Sequence, residues 1–109
     1  KKKTSTVSIE EFGKLEIRVA RVVSAEPIKG SKKLYKLVVD LGGEKRQVVS
    51  GIAQFYSAGE LVGKDVAMIV NLAPATIFGV ESRGMILAAG DEASLLVPLR
   101  PVRPGTPVR

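Results

Sequence analysis

Residues 34 to 50 read LYKLVVDLGGEKRQVVS, and this stretch decides the fold. Leu34 to Leu41 reads as a strand, and Gly42-Gly43 is a dipeptide typical of a tight hairpin turn. Glu44 to Ser50 then returns as the next strand and stops at Gly51. The stretch therefore predicts an antiparallel hairpin.

Upstream of this hairpin the sequence predicts a short helix and one more strand. Ser8-Ile9-Glu10-Glu11 fits a capping box, with Ser8 as N-cap, and the helix is expected to end by Gly13. Leu15 to Val23 alternates apolar and polar residues over most of its length, as a half-buried strand does. The hairpin strands are therefore the second and third of the chain.

Downstream of the hairpin we expect a short helix or turn and two further strands. Ile52 to Leu61 has weak helical spacing. Lys64 to Leu72 predicts a fourth strand that ends before Pro74, and Arg83 to Ala89 predicts a fifth. Four of the six prolines fall in the last 15 residues, at positions 98, 101, 104 and 107, so this tail should run extended across the body.

Five short strands with a helical insert after the third match an OB-fold. We therefore predict an all-β protein: a five-stranded OB-fold Greek-key barrel with a short N-terminal helix, a short helix after strand three and an extended Pro-rich C-terminal segment. An SH3-like barrel is the alternative, which the position of the helix disfavours. Residues 8–109 are the predicted domain. Residues 1–7 are the expected remnant of a linker, because the chain starts with Lys1 and not with Met.

The composition favours a binding protein with a polyanionic partner. The net charge is +6, from 17 Lys and Arg against 11 Asp and Glu, which suits nucleic acid or an acidic membrane surface but also serves solubility. Hydrophobic residues make up 45% of the chain, so some apolar surface is expected to be covered by a partner, such as a second copy. No apolar run is long enough to span a membrane, and we expect a cytoplasmic protein with no membrane contact.

The absence of two residue types excludes much chemistry. The chain has no His and no Cys, so His-based triads, thiol chemistry and the usual nitrogen and sulfur metal ligands are missing. No phosphate-binding glycine loop or nucleophile elbow is present. We therefore expect no enzyme activity, no cofactor and no metal.

Two groups of polar residues are candidates for contact with a nucleic acid. Lys29, Lys32 and Lys33 share one loop, and Lys36, Lys45 and Arg46 flank the adjoining hairpin. Clustered on one side of the barrel these cations would attract phosphates, unless the loop is merely solvated. Asn71 ends one strand and Ser82 to Met85 open the next, so they should meet at one end of the barrel. There Gly84, which has no side chain, would let a flat ligand approach the backbone, and Met85 would contact a base. The alternative is that these polar residues only form a turn and that Met85 packs in the core.

Aromatic side chains are few. The chain has three Phe and two Tyr, and several of these are needed for the core. A platform on which several bases stack is therefore not expected, and recognition should depend on backbone shape and a few polar contacts, as with folded RNA.

The sequence resembles the tRNA-binding domain at the C-terminus of methionyl-tRNA synthetases. Similar domains occur as free-standing dimeric tRNA-binding proteins, in a bacterial export-chaperone-like protein and at the start of the phenylalanyl-tRNA synthetase β chain. The resemblance covers about Phe12 to Arg109. It rests on six short segments in order: LEIRV from Leu15, KLYKL from Lys33, VVSGI from Val48, NLAP from Asn71, SRGMILAA from Ser82 and PGTPVR from Pro104.

The resemblance implies an OB-fold homodimer that binds the outer corner of tRNA without regard to sequence and strengthens the synthetase's hold on tRNA without doing chemistry. It further implies that residues 1–7 lead to the catalytic body. The RNA contacts carried over by position are Lys33, Asn71, Ser82 and Met85, with Arg83 on a phosphate. Lys33 and Ser82 are both expected to be exposed.

Two departures from the family pattern concern this contact set. The loop Glu26 to Lys33 replaces the family's His-Pro-x-Ala-Asp-Lys loop and adds positive charge, and Ala73 stands where a Lys is common. Two other functions stay open. One is a dimeric module of the export-chaperone kind that binds peptides; the other is a domain that mainly dimerises its host.

Overall fold

The computed structural model describes residues 5–109. The predicted linker falls outside the described residues at positions 1–4, and residues 5–7 are exposed and lie in neither a helix nor a strand. Helix α1, Ile9–Phe12, follows and confirms the predicted capping box. The hydroxyl Oγ of Ser8 accepts the Glu11 N–H at 3.1 Å, while Oε1 of Glu11 accepts the Ser8 N–H at 3.2 Å.

A curved antiparallel sheet forms most of the remaining structure. The strands of this sheet are β1 Ile17–Pro27, β2 Tyr35–Asp40, β3 Lys45–Ser50, β4 Asp65–Ile69, β7 Met85–Ile86 and β10 Pro107–Val108. They run in the order β3-β2-β1-β4-β7, and β10 also pairs with β1. The predicted hairpin is confirmed, since Tyr35 lies opposite Ser50 and Asp40 opposite Lys45.

The long strand β1 joins the two halves of the barrel. Its first half, from Ile17 to Arg21, pairs with β4, and its second half, from Arg21 to Pro27, pairs with β2. The register shifts between Val22 and Ser24, which marks a β-bulge. A bulge bends and twists its strand, and this bend allows one strand to serve both sides of the closed sheet.

The core lies inside this curved sheet. Alternating residues of the strands point inward, and β2 shows the pattern most clearly: Tyr35, Leu37 and Val39 are buried while their neighbours are partly exposed. Helix α2, Ala58–Leu61, closes one opening through Leu61, which is 1% exposed. The helix thus stands after the third strand, as predicted for an OB-fold.

The structure differs from the predicted strands after residue 72. A hairpin of β5, Ala75–Ile77, and β6, Val80–Ser82, lies between the fourth and fifth predicted strands. The predicted strand from Arg83 to Ala89 is split into β7 and β8, Ala88–Ala89, and β8 pairs with β9, Ser94–Leu95. The hairpin was missed because its turn residues, Phe78-Gly79, are not a dipeptide typical of a turn.

The Pro-rich tail runs across the body as expected but ends as an edge strand. Pro107 lies opposite Arg18 and Val108 opposite Ile17. Proline is tolerated there because an edge strand has one side without ladder hydrogen bonds. Within residues 5–109, no helix is long and apolar enough to cross a membrane.

Candidate nucleic-acid interface

The barrel closes along a line that we call the seam, where residues 47–49 of β3 meet residues 81–84. The N–H of Arg83 donates to the carbonyl of Gln47 at 3.0 Å. The side-chain amide Nε2 of Gln47 donates to the carbonyl of Glu81 at 2.9 Å. The seam is therefore held by a mixture of backbone and side-chain hydrogen bonds in place of a regular ladder.

Ser82 belongs to this seam and not to the surface. It is 5% exposed, and its hydroxyl accepts the N–H of Val49 at 2.9 Å. The same hydroxyl donates to the carbonyl of Gly84 at 3.2 Å. The prediction that Ser82 is exposed was wrong, because the fold uses this hydroxyl to satisfy a buried backbone donor of the neighbouring strand.

The expectation that Gly84 leaves room for a ligand was also wrong. The φ of Gly84 is +147°, a region that favours glycine. A Cβ built there would stand 2.9 Å from the carbonyl oxygen of Ile69 and 2.9 Å from Cε of Met68, both of which are protein atoms. The missing side chain therefore makes room for the neighbouring strand and a core methionine, and not for a flat ligand.

Arg46 connects three segments at the seam. Its guanidinium Nη1 donates to the carbonyls of Val70 and, at 3.4 Å, of Arg83. Its Nη2 lies 2.6 Å from Oε2 of Glu44, and this hydrogen bond holds the pKa of the Glu44 carboxyl below its ordinary value. Arg46 was expected among the basic residues that face a phosphate. It is instead occupied within the protein, which a single sequence does not reveal.

The structure does bring Asn71 close to residues 83–85, as the sequence predicted. Met85 lies opposite Ile69 in the β4–β7 ladder, and Arg46 contacts the carbonyls of Val70 and Arg83 together. Met85 is 46% exposed, so it is not a core residue. Arg83 is exposed as well.

Asn71 is exposed, but its amide already has partners. Oδ1 accepts the N–H of Glu16 at 2.8 Å, and Nδ2 donates to the carbonyl of Lys14 at 2.6 Å. These two bonds tie the segment before β1 to the end of β4. Asn71 therefore has a structural role here, and an RNA contact would use its remaining donor and acceptor capacity.

The lysine loop, residues 28–34, presents its three cations to solvent. Lys29, Lys32 and Lys33 are exposed, while a Ser31 N–H bond to the Ile28 carbonyl at 3.0 Å shapes the turn beneath them. Across residues 5–109, none of the three takes part in an ion pair, whereas Arg21 is paired with Asp65 and Lys36 with Glu26. Their charge is therefore available to an anionic ligand.

The β5–β6 hairpin lies between the lysine loop and Arg83. Its tip, Phe78, lines a groove of about 450 Å³ together with residues 30–34. Its last residue, Ser82, precedes Arg83 at the seam. Ser50 pairs with Tyr35 beside the lysine loop, and Gln47 accepts the N–H of Arg83. These two positions of β3 are on the order of 10 Å apart along the strand. We call Lys29, Lys32, Lys33 and Arg83 the basic margin.

The five aromatic residues divide between the core and the surface. Tyr35 is buried and its hydroxyl donates to the Tyr56 carbonyl at 2.8 Å, while the Tyr56 hydroxyl donates to the Ala93 carbonyl at 2.9 Å. Phe12 and Phe55 are both 41% exposed and Phe78 is 61% exposed. The core therefore needs the tyrosines, and the three phenylalanines reach the surface.

Comparisons with known proteins agree with this geometry. A family model described as "Putative tRNA binding domain" matches residues 17–107. A methionine–tRNA ligase of Methanoculleus marisnigri is 84% identical over 98% of this chain, which spans 16% of that protein's length. Among solved structures, a MetRS-related protein from Pyrococcus horikoshii is 38% identical, with a TM-score of 0.88, over 97% of this chain and 100% of its own.

A second structural relative has a different description. The CsaA chaperone protein from Picrophilus torridus is 28% identical, with a TM-score of 0.87, over 95% of this chain and 100% of its own. The fold is thus shared by proteins that are named for different tasks, and the family match is the more specific finding. The chain belongs to the family of tRNA-binding domains, and within it is similar to a segment of methionyl-tRNA synthetases.

Proposed function

We propose that this chain is the non-catalytic tRNA-binding domain of a cytoplasmic methionyl-tRNA synthetase, joined to the catalytic body through its N-terminal linker. It would bind the folded shape of tRNA without regard to sequence and increase the synthetase's affinity for tRNA. The observation that carries this proposal is the basic margin. Its four exposed cations have no carboxylate partner within residues 5–109, in a chain that belongs to a tRNA-binding family.

The contacts we propose follow from exposure and pairing. Lys29, Lys32, Lys33 and Arg83 bind phosphates, because a cation without a carboxylate partner is free to neutralise a phosphate and to displace the counterions condensed on the RNA. Met85 offers an exposed thioether surface beside them, and Asn71 keeps some hydrogen-bonding capacity at the same end. Ser82 supports these residues by closing the seam and makes no direct contact, since its hydroxyl is buried and bonded on both sides.

The proposal is tested by measuring tRNA binding across salt concentrations. The double variant Lys32→Ala/Lys33→Ala should weaken binding and reduce the slope of log K against log salt by about 1.4 to 1.8, at roughly 0.7 to 0.9 per lost phosphate contact. Filter binding or fluorescence anisotropy between low and moderate salt gives both quantities. Folding should be unaffected, because both side chains are exposed.

A matched control removes the same charge elsewhere. Lys36→Ala/Lys64→Ala also lowers the net charge by two, but Lys36 is paired with Glu26 at 3.1 Å and Lys64 lies before β4, outside the basic margin. This control should keep most of the salt slope. Equal losses in both double variants would show that only net charge matters, and binding that ignores salt would contradict a phosphate interface altogether.

We further propose that the domain functions as a homodimer. Exposed apolar side chains gather where α1 meets β10, and Ile9, Phe12, Leu15 and Val108 line an open groove of about 420 Å³ there. Exposed apolar patches on small domains often mark an interface. Sedimentation at several concentrations tests this, and a monomer at all concentrations would contradict it.

The alternative function is peptide binding by a dimer of the chaperone type. The similarity to the CsaA chaperone structure favours it. A competition among tRNA, single-stranded DNA and an unfolded polypeptide separates the two functions. We expect tRNA to displace the others; displacement of tRNA by the unfolded chain would support the alternative.

A further inference from the structure

We propose that Phe78 and the lysine loop form a subsite that stacks one exposed base face of the bound RNA. The inference rests on the proposed tRNA binding and adds a contact that the phosphate interface does not require. It concerns a single base, and is therefore compatible with the expectation that several bases do not stack on one platform. Three observations carry it: the exposure of the ring, its backbone conformation and its neighbours.

Phe78 lies at the surface with most of its side chain exposed. It is 61% exposed, the largest exposed fraction among the three phenylalanines. On one side the ring approaches the lysine loop, since a Cβ built on Gly30 would stand 3.9 Å from Cε2 of Phe78. The ring thus borders the groove of about 450 Å³ that it lines with residues 30–34, and an apolar surface opens beside Lys32 and Lys33.

The backbone of Phe78 is unfavourable for a phenylalanine. Phe78 and Gly79 form the two-residue turn between Ile77 and Val80, with φ of +52° and +76°. A turn with two positive φ values is the type I′ turn, for which Asn-Gly is the favoured dipeptide. A bulky side chain in this region is an outlier that costs folding free energy. An exposed ring in a strained position gains little for the fold, and this favours a role in binding.

The neighbours of the ring select the ligand. Lys32 and Lys33 line the groove, and neither forms an ion pair with any described residue. An RNA nucleotide presents a flat apolar base next to an anionic phosphate. Base stacking on an aromatic ring tolerates any sequence, which suits a domain that recognises shape. An apolar peptide would not need the lysines, so the groove fits a nucleotide better than a peptide side chain.

The first experiment is a substitution series with tRNA as the probe. Phe78→Leu keeps apolar bulk but has no aromatic face, and should weaken tRNA binding roughly 5- to 150-fold, the range expected for one stacked base. Phe78→Tyr and Phe78→Trp should bind about as well as the original chain. Wild-type affinity in Phe78→Leu would overturn the subsite.

The second experiment uses the fact that the chain contains no Trp. In Phe78→Trp the single indole should lose fluorescence when tRNA is added, because it stacks on a base. In the control Leu99→Trp, which places the indole on the Pro-rich tail at a residue that is 99% exposed, fluorescence should stay unchanged at the same saturation. Full tRNA binding by Phe78→Trp with unchanged emission would overturn the subsite but leave the proposed function intact. Absence of tRNA binding by the unsubstituted chain would overturn the proposed function itself.

The third measurement separates binding from folding. Phe78→Asn installs the residue that the turn prefers, so its thermal midpoint should rise while its affinity for tRNA falls. A ring with only a structural role predicts the opposite, a lower midpoint. A lower midpoint with unchanged affinity would therefore overturn the inference.

Discussion

The seam and the lysine loop border the same hairpin, yet they use polar residues in opposite ways. At the seam, Ser82 and Arg46 direct their polar atoms to backbone groups of neighbouring strands. In the loop, Lys32 and Lys33 direct theirs to solvent and have no carboxylate partner within residues 5–109. Polar residues in this fold therefore serve either closure of the barrel or binding, and burial and hydrogen-bond pairing distinguish the two roles.

The comparison predicts that seam substitutions cost stability, whereas loop substitutions cost tRNA affinity. The loop side is tested by the double lysine variant and the Phe78 series. Three further predictions test the seam side, and they follow from the largest expected effect to the smallest.

Gly84→Ala should destabilise the domain by about 2–4 kcal/mol, because it combines an unfavourable φ with two contacts of 2.9 Å to Ile69 and Met68. Gly43→Ala is a matched control, since its φ is +137° and its Cβ would meet nothing within 4 Å. It should cost only about 1–2 kcal/mol. Urea denaturation measures both, and equal losses would show that the seam is not tightly packed at Gly84.

Ser82→Ala should destabilise the domain by about 1–3 kcal/mol, since the N–H of Val49 loses its partner in a buried site. The salt slope of tRNA binding should stay unchanged under conditions where the variant is folded. Ser94→Ala, at an exposed serine, is the control and should change neither the stability nor the salt slope. A stable Ser82→Ala variant with weakened tRNA binding would instead make this hydroxyl a direct RNA contact.

The smallest effect concerns pH and the ion pair of Glu44 with Arg46. Its hydrogen bond to Arg46 lowers the pKa of Glu44 in the folded chain. The pair therefore contributes stability above the ordinary pKa of a glutamate, and this contribution is lost as the pH falls through the lowered value. As the pH is lowered, the midpoint of urea denaturation should fall slightly more in the original chain than in Glu44→Gln. Identical dependence of the midpoint on pH in the two proteins would contradict this.

Part of the site could be predicted from the sequence, because local patterns express it directly. Three lysines in one loop between two strands predict a cluster of positive charge, and the structure shows them exposed. The order of strands likewise places Asn71 near residues 83–85. The capping box and the Gly42-Gly43 hairpin depend only on neighbours in sequence, so both were predicted with the right residues.

Other parts depend on contacts between residues far apart in the chain. The hydroxyl of Ser82 finds the N–H of Val49, 33 positions earlier, and nothing in the residues around Ser82 distinguishes this from a turn. Arg46 reaches a carbonyl 24 positions away, although the sequence alone grouped it with the free cations. The Phe78-Gly79 turn was missed because its first residue is atypical for the conformation it adopts.

The sequence by itself determined the class of the fold, the positive charge, the absence of His and Cys chemistry and the resemblance to tRNA-binding domains. These follow from the composition, from the spacing of hydrophobic residues and from the residues typical of turns, all of which are local properties of the sequence. Only the tertiary structure decided which polar groups are free to bind. A hydroxyl, a guanidinium or a glycine is buried or exposed according to the strand packed against it, and that strand comes from a distant part of the chain.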